Sequence, residues 1–128
     1  MHKKPRKKKL RWYQKEEIVR KRFSKEFKSS LRKGRLSVGT RIDNKKATKS
    51  FDFISEDNSI VGMVKSSKLT KKNSGAGQYN AADSDLHFLN LVKAKKRLLV
   101  LTDIAFYNKF KKDRDGKTGK VEIILCEI

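Results

Sequence analysis

Three side chains invite a chemical reading before any element is assigned: Asp52 in FDFISEDNS, Lys65 in IVGMVK, and Glu16 in WYQKEEIVRKRF. Asp52 and Lys65 fall on two short apolar runs joined by a polar turn. That arrangement sets a carboxylate and an ammonium on one surface of adjacent strands, where they either form a cross-strand pair, worth under about 1 kcal/mol if exposed, or act together on something else. The residue two before Lys65 is Met63, so an acid-x-lysine spacing is laid out with a thioether in the acid's place. With residues set at about 100° steps, Glu16 points between Val19 and Phe27. An acid among inward-facing aromatics snorkels, pairs with a lysine, or is held there for a task.

The elements that must position these groups follow from hydrophobic period. From about Trp12 to Arg32 the period is helical: Val19, Phe23, Phe27 and Leu31 step by four, with Trp12 on the same stripe, and Gly34 is the expected stop. RLSVGTRI alternates as a strand, DNKK turns, Ser50 to Ile54 forms a second strand, SEDNS turns, and Ile60 to Ser67 forms a third. Such short spacings predict an antiparallel meander. Strand alternation then sets Phe51 and Phe53 on one side and Ser50 and Asp52 on the other, while Val61, Met63 and Lys65 share a face. KLTKKNSGAGQ reads as a basic, glycine-rich loop. A second helix is predicted from about Ala81 to Ala94, with Leu86 and Leu89 on its face. LLVLT reads as a strand covered on both sides. IAFYNKFKK follows as a short helix, DGKTG as a tight turn and VEIILCEI as a last strand. The order αβββαβαβ predicts an α/β fold, a mixed sheet flanked by helices, with a basic arm at 1–11 and a single domain over 12–128. His2 and His87 lack a partner spacing and carry no assigned chemistry.

Charge narrows the partners. Thirty-four Lys and Arg against fourteen Asp and Glu give +20 and a pI near 10.2. Residues 1–50 hold twenty basic and four acidic residues, a net +16 of that total. A polyanion is the natural partner, and nucleic acid the first choice; a solubilising tail is the bland reading of the same run. Lys7, Lys8, Lys9 and Arg11 in the arm, Lys45, Lys46 and Lys49 around the first turn, and Lys68, Lys71 and Lys72 in the loop are the candidate phosphate contacts. No apolar run approaches the length of a bilayer span, and the basic N-terminus has no signal-like apolar core. A lone Cys126 excludes an intrachain disulfide and a multi-cysteine zinc site. A cytoplasmic protein without membrane partners is the default expectation.

The element order, with DFI-turn-SIVGMVK at its centre, resembles the PD-(D/E)XK nuclease superfamily, which includes restriction endonucleases and archaeal Holliday junction resolvases. The resemblance spans about residues 12 to 112. Its signature is an aspartate near the end of one strand, then an acid, one residue and a lysine on the next. Asp52 and Met63-Val64-Lys65 match those positions. The resemblance implies a restriction endonuclease-like sheet, Mg2+ or Mn2+ as cofactor, Asp52 and Glu16 as metal ligands with the Val64 carbonyl, and Asp52, Lys65 and Glu16 as the catalytic set. Gln78 resembles a glutamine found at that place in some branches. It also implies DNA before RNA as partner, and a homodimer acting on two strands.

Met63 departs from the motif, since a neutral, soft thioether is a poor ligand for Mg2+. Three explanations stay open. The domain is a degenerate nuclease that binds without cutting; or Glu16 or Glu56 supplies the missing acid; or Met63 is an apolar residue on the core side of its strand and the likeness is false. The expected function is therefore nucleic-acid binding on a nuclease-like fold, with metal-dependent endonuclease activity weakened or lost. A non-enzymatic basic RNA- or ribosome-associated protein is the alternative. Stacking aromatics exposed on the sheet would favour that alternative, and Phe51 and Phe53 under helices would count against it.

Overall fold

The computed structural model describes residues 10–40, 43–68 and 76–128. Lys7, Lys8, Lys9, Lys71 and Lys72 lie outside them. The order is α1 (Trp12–Glu26), β1 (Leu31–Thr40), β2 (Lys46–Ser55), β3 (Ile60–Lys65), α2 (Ala76–Leu91), β4 (Lys96–Leu101), α3 (Ile104–Asp113) and β5 (Val121–Leu125). The strands form one five-stranded mixed sheet in sequence order. β1, β2 and β3 make the antiparallel meander, and β3, β4 and β5 run parallel. The predicted α/β class and αβββαβαβ order are what the chain adopts. Among the described residues no helix is long and apolar enough to cross a membrane.

Helices cover both faces. On one, α2 and α3 bring Ala82, Leu86, Leu89, Phe106 and Phe110 against Phe51, Val61, Met63, Leu99 and Leu101. On the other, Val19 and Phe23 of α1 cover Phe53, Val64, Leu98 and Val100. Leu98 through Leu101 have no solvent exposure, the continuous burial expected of LLVLT. Burying side chains of this size contributes about 1.5–3 kcal/mol each, and that drives the three layers together.

α1 ends six residues before Arg32, the expected end. Lys28 takes a left-handed φ of 50°, and Ser29 N–H donates to the Ser24 carbonyl at 3.1 Å while Lys28 N–H reaches that of Lys25. This is a Schellman stop with lysine where glycine is usual, so no glycine signals it. Gly34 lies inside β1, and Leu31, whose spacing fits the helical stripe, opens that strand. Trp12 is also off the buried stripe, 60% exposed. β2 is longer than expected at its start, β3 ends at Lys65, and α2 begins earlier, at Ala76, and ends at Leu91.

Phe51 and Phe53 do not share a side. Arg32 pairs with Ile54 but Gly34 pairs with Phe51, so Asp52 and Phe53 together oppose Lys33. This β-bulge inserts one extra residue and breaks the period-two alternation. Phe51 goes under α2, Phe53 goes under α1, and both are fully buried. Phe53 then lies over Gly62, its cross-strand partner, as an aromatic ring covering a bare backbone. A Cβ on Gly62 would fall inside the Phe53 ring. Gly62→Ala is expected to cost about 2 kcal/mol, within the range for overpacked cores, read as a lower urea midpoint; an unchanged midpoint would show that the ring moves freely.

Candidate active site

The bulge also aims Asp52. β2 and β3 pair at Phe53–Gly62 and Ile54–Val61, and beyond that point the Asp52 side chain replaces the ladder: its Oδ2 accepts from Val64 N–H at 2.7 Å. α1 crosses above. Arg20 Nη1 donates to the Asp52 carbonyl at 3.1 Å and stands 4.0 Å from Glu16 Oε2. Glu16, one helical turn before Arg20, has only 13% of its side chain exposed and comes within hydrogen-bonding reach of the Asp52 carboxyl. Burial pushes the Glu16 carboxyl above its ordinary pKa, the nearby Asp52 charge adds to this, and Lys33 and Arg20 oppose it. The two carboxyls set hard oxygens near one another where β2 and β3 part.

Lys65 does not pair with Asp52. Its Nζ lies 2.7 Å from Oδ2 of Asp85 on α2, and among the described residues no ion pair joins it to Asp52. The ammonium and the carboxylate oxygen thus stand charge against charge at close range. Asp85 is 5% exposed. Burial raises its pKa most, Lys65 pulls it down, Asp52 pushes it up, and Lys49 pulls it down. Asp85 escaped the sequence reading, yet it lies three residues after Ala82 and four before Leu89, inside the apolar stripe of α2. The criterion that singles out Glu16 in α1 finds it as well.

Met63 is 4% exposed in the core beneath α2 and α3. A carboxylate there would be buried among apolar groups at a cost of several kcal/mol. Glu56 is exposed in the β2–β3 turn, four residues beyond Asp52 and roughly 13 Å away at strand rise, so it does not join the pair. Val64 meets Asp52 through its amide.

Of the candidate phosphate contacts, Lys49 is half-buried with its Nζ 4.8 Å from the Phe88 ring centroid. Lys45, Lys46, Lys68 and Arg11 are exposed, but Lys46 stands six residues up β2 from Asp52, roughly 20 Å off. Arg20 and Lys33 act on the Glu16 carboxyl, and both were missed because their nearness depends on how α1 crosses the bulge. His87 is exposed on α2. Tyr79 donates to Asp113 Oδ2 at 3.1 Å, tying α2 to α3; its neighbour Gln78 is half-buried.

Among the described residues no three His, Cys, Asp or Glu side chains converge on one point. The oxygens of Glu16 and Asp52 are nonetheless hard donors, the type that Mg2+ and Mn2+ prefer, and Mg2+ is commonly held by one or two carboxylates with water and substrate phosphate completing its shell. The pair fits such a partly hydrated ion. Comparison with family models, with curated proteins and with solved structures returned no match to this chain.

Proposed function

We propose that this chain binds nucleic acid, DNA before RNA, and cleaves phosphodiester bonds in it at the Glu16–Asp52 pair with Mg2+ or Mn2+. The carrying observation is the gathering of Glu16 and Asp52 about Arg20, which stands 4.0 Å from Glu16 Oε2 and 3.1 Å from the Asp52 carbonyl, at the point where β2 and β3 separate, with an anchored lysine at the end of β3. Glu16 and Asp52 would hold the cation, whose charge would offset theirs. A bound divalent cation supplies an activated water and neutralises charge on the phosphate. Val64 N–H and Arg20 fix Asp52 from below and above. Arg20 and Lys33 draw the phosphate toward the carboxyls, and Asp85 holds Lys65 in place. The preference for DNA rests on the superfamily resemblance alone.

Binding without cleavage is the second reading, favoured by Met63, which puts an apolar side chain where the motif has its second acid. The RNA- or ribosome-associated alternative loses its expected platform, because Phe51 and Phe53 are fully buried. The test is incubation with duplex, branched and single-stranded DNA in Mg2+, Mn2+ or chelator, beside equilibrium binding over a range of salt. Cleavage abolished by chelator is expected, with log K falling about 0.9 per phosphate contact on duplex. Salt-dependent binding with no cleavage in either metal leaves the second reading. Affinity indifferent to salt overturns both.

A further inference from the structure

We propose that the N-terminal end of α1 is a stacking platform for an unpaired nucleobase, one helical turn from the Glu16–Asp52 carboxyls. The inference rests on the nucleic-acid reading above and names its substrate class, nucleic acid with a single-stranded or unpaired segment. Trp12 is 60% exposed and Tyr13 46% exposed. Their rings meet edge to face at 5.7 Å and 89°, so Tyr13 braces the indole and leaves indole surface open to solvent. Lys33 Nζ stands 5.8 Å from the Trp12 ring centroid, and the same ammonium acts on the Glu16 carboxyl. Aromatic rings set among cations are how sequence-tolerant single-strand sites are built, because every base has a face to stack and every link a phosphate to attract.

Position makes the platform part of the site. Trp12 and Glu16 are separated by four residues on one helix, so their side chains are neighbours on the same face, roughly 5–6 Å apart at Cβ. A base stacked on Trp12 places its own backbone beside Lys33 and next to the carboxyl pair. Lys15 lies on the same side of the helix, three residues after Trp12, and Arg11 immediately precedes it. A paired base keeps its faces inside its own stack, so a continuous duplex reaches the cations and not the indole.

Trp12 is the only tryptophan in the chain, so its emission reads the platform directly. The full-length chain is titrated with an oligothymidine, with a blunt duplex carrying the same number of phosphates, and with anionic phospholipid vesicles. Saturable quenching by the oligothymidine and little by the saturating duplex is expected. Trp12→Ala is expected to weaken single-strand binding by about ten- to a hundredfold, the worth of one stacked base, with duplex affinity unchanged; Trp12→Phe keeps most of it. Far-ultraviolet dichroism checks that the exposed-site variant keeps its helix. Equal quenching by duplex, an equal effect of Trp12→Ala on both ligands, or a response to vesicles alone overturns the platform while leaving nucleic-acid binding intact. Failure of both oligonucleotides to bind overturns that reading and the platform with it.

Discussion

Asp52→Asn is expected to lower metal-dependent cleavage by about 10²–10³-fold while leaving the fold in place. The side chain keeps its size, and its remaining carbonyl oxygen still accepts from Val64 N–H, the bond that substitutes for the ladder where β2 and β3 separate. Its new amide can donate to Glu16, so the crowded carboxyl contact becomes an ordinary neutral–charged hydrogen bond and the Glu16 carboxyl loses one cause of its raised pKa. What disappears is the second negative charge. Stabilisation by a divalent cation is worth several kcal/mol of barrier, and each 1.4 kcal/mol is tenfold in rate. Single-turnover cleavage in Mn2+ beside an unchanged thermal midpoint is the measurement. Equal cleavage by variant and parent removes Asp52 from the chemistry.

Lys65→Met is expected to destabilise the protein in a way that depends on pH. Removing one member of a buried pair leaves the other charge uncompensated at about 3–5 kcal/mol, but the Lys65 side chain is 27% exposed and water screens part of this, so about 3 kcal/mol at neutral pH is the expectation. The sign follows from Asp85. Burial raises its folded pKa above the unfolded value, and Lys65 is the main group pulling it back; without the lysine it rises further. A carboxyl whose folded pKa is raised contributes stability that is complete below the unfolded pKa and is lost as pH climbs through the folded one. The deficit of Lys65→Met is therefore largest at neutral pH and shrinks as the solution is acidified toward the ordinary carboxylate range. Urea unfolding across that range measures it, with Asp85→Asn in the same background as the control that removes the pH dependence. A deficit constant with pH would mean that Lys65 acts through packing.

The architecture was readable because each element carries its own period: four-residue steps in α1, alternation in the meander, an unbroken apolar run in β4. Glu16 was readable for the same reason, as an acid at an apolar position. Three things were not. Lys28 ends α1 in a conformation that composition does not flag, and the four-residue spacing runs on into Leu31. The bulge at Asp52–Phe53 arises from the pairing of β2 with β1, a non-local contact, and strict alternation therefore assigned Phe53 to the wrong face. The partner of Lys65 comes from α2, an element separated from it by a loop whose path no local pattern fixes. Met63 reads as an acid's place in the motif and as a core residue in the fold, and packing decides for the core.

The sheet is an apolar partition, and charges on its two sides would ordinarily ignore each other. Where the strands part at Asp52 that insulation is pierced. The Asp52 carboxylate acts on Glu16 under α1 and on Asp85 under α2, like a conductor passed through a board to join circuits on either side. One charge on β2 thus bears on a carboxyl of α1 and on the α2 carboxylate that holds Lys65, two groups that the sheet otherwise keeps apart.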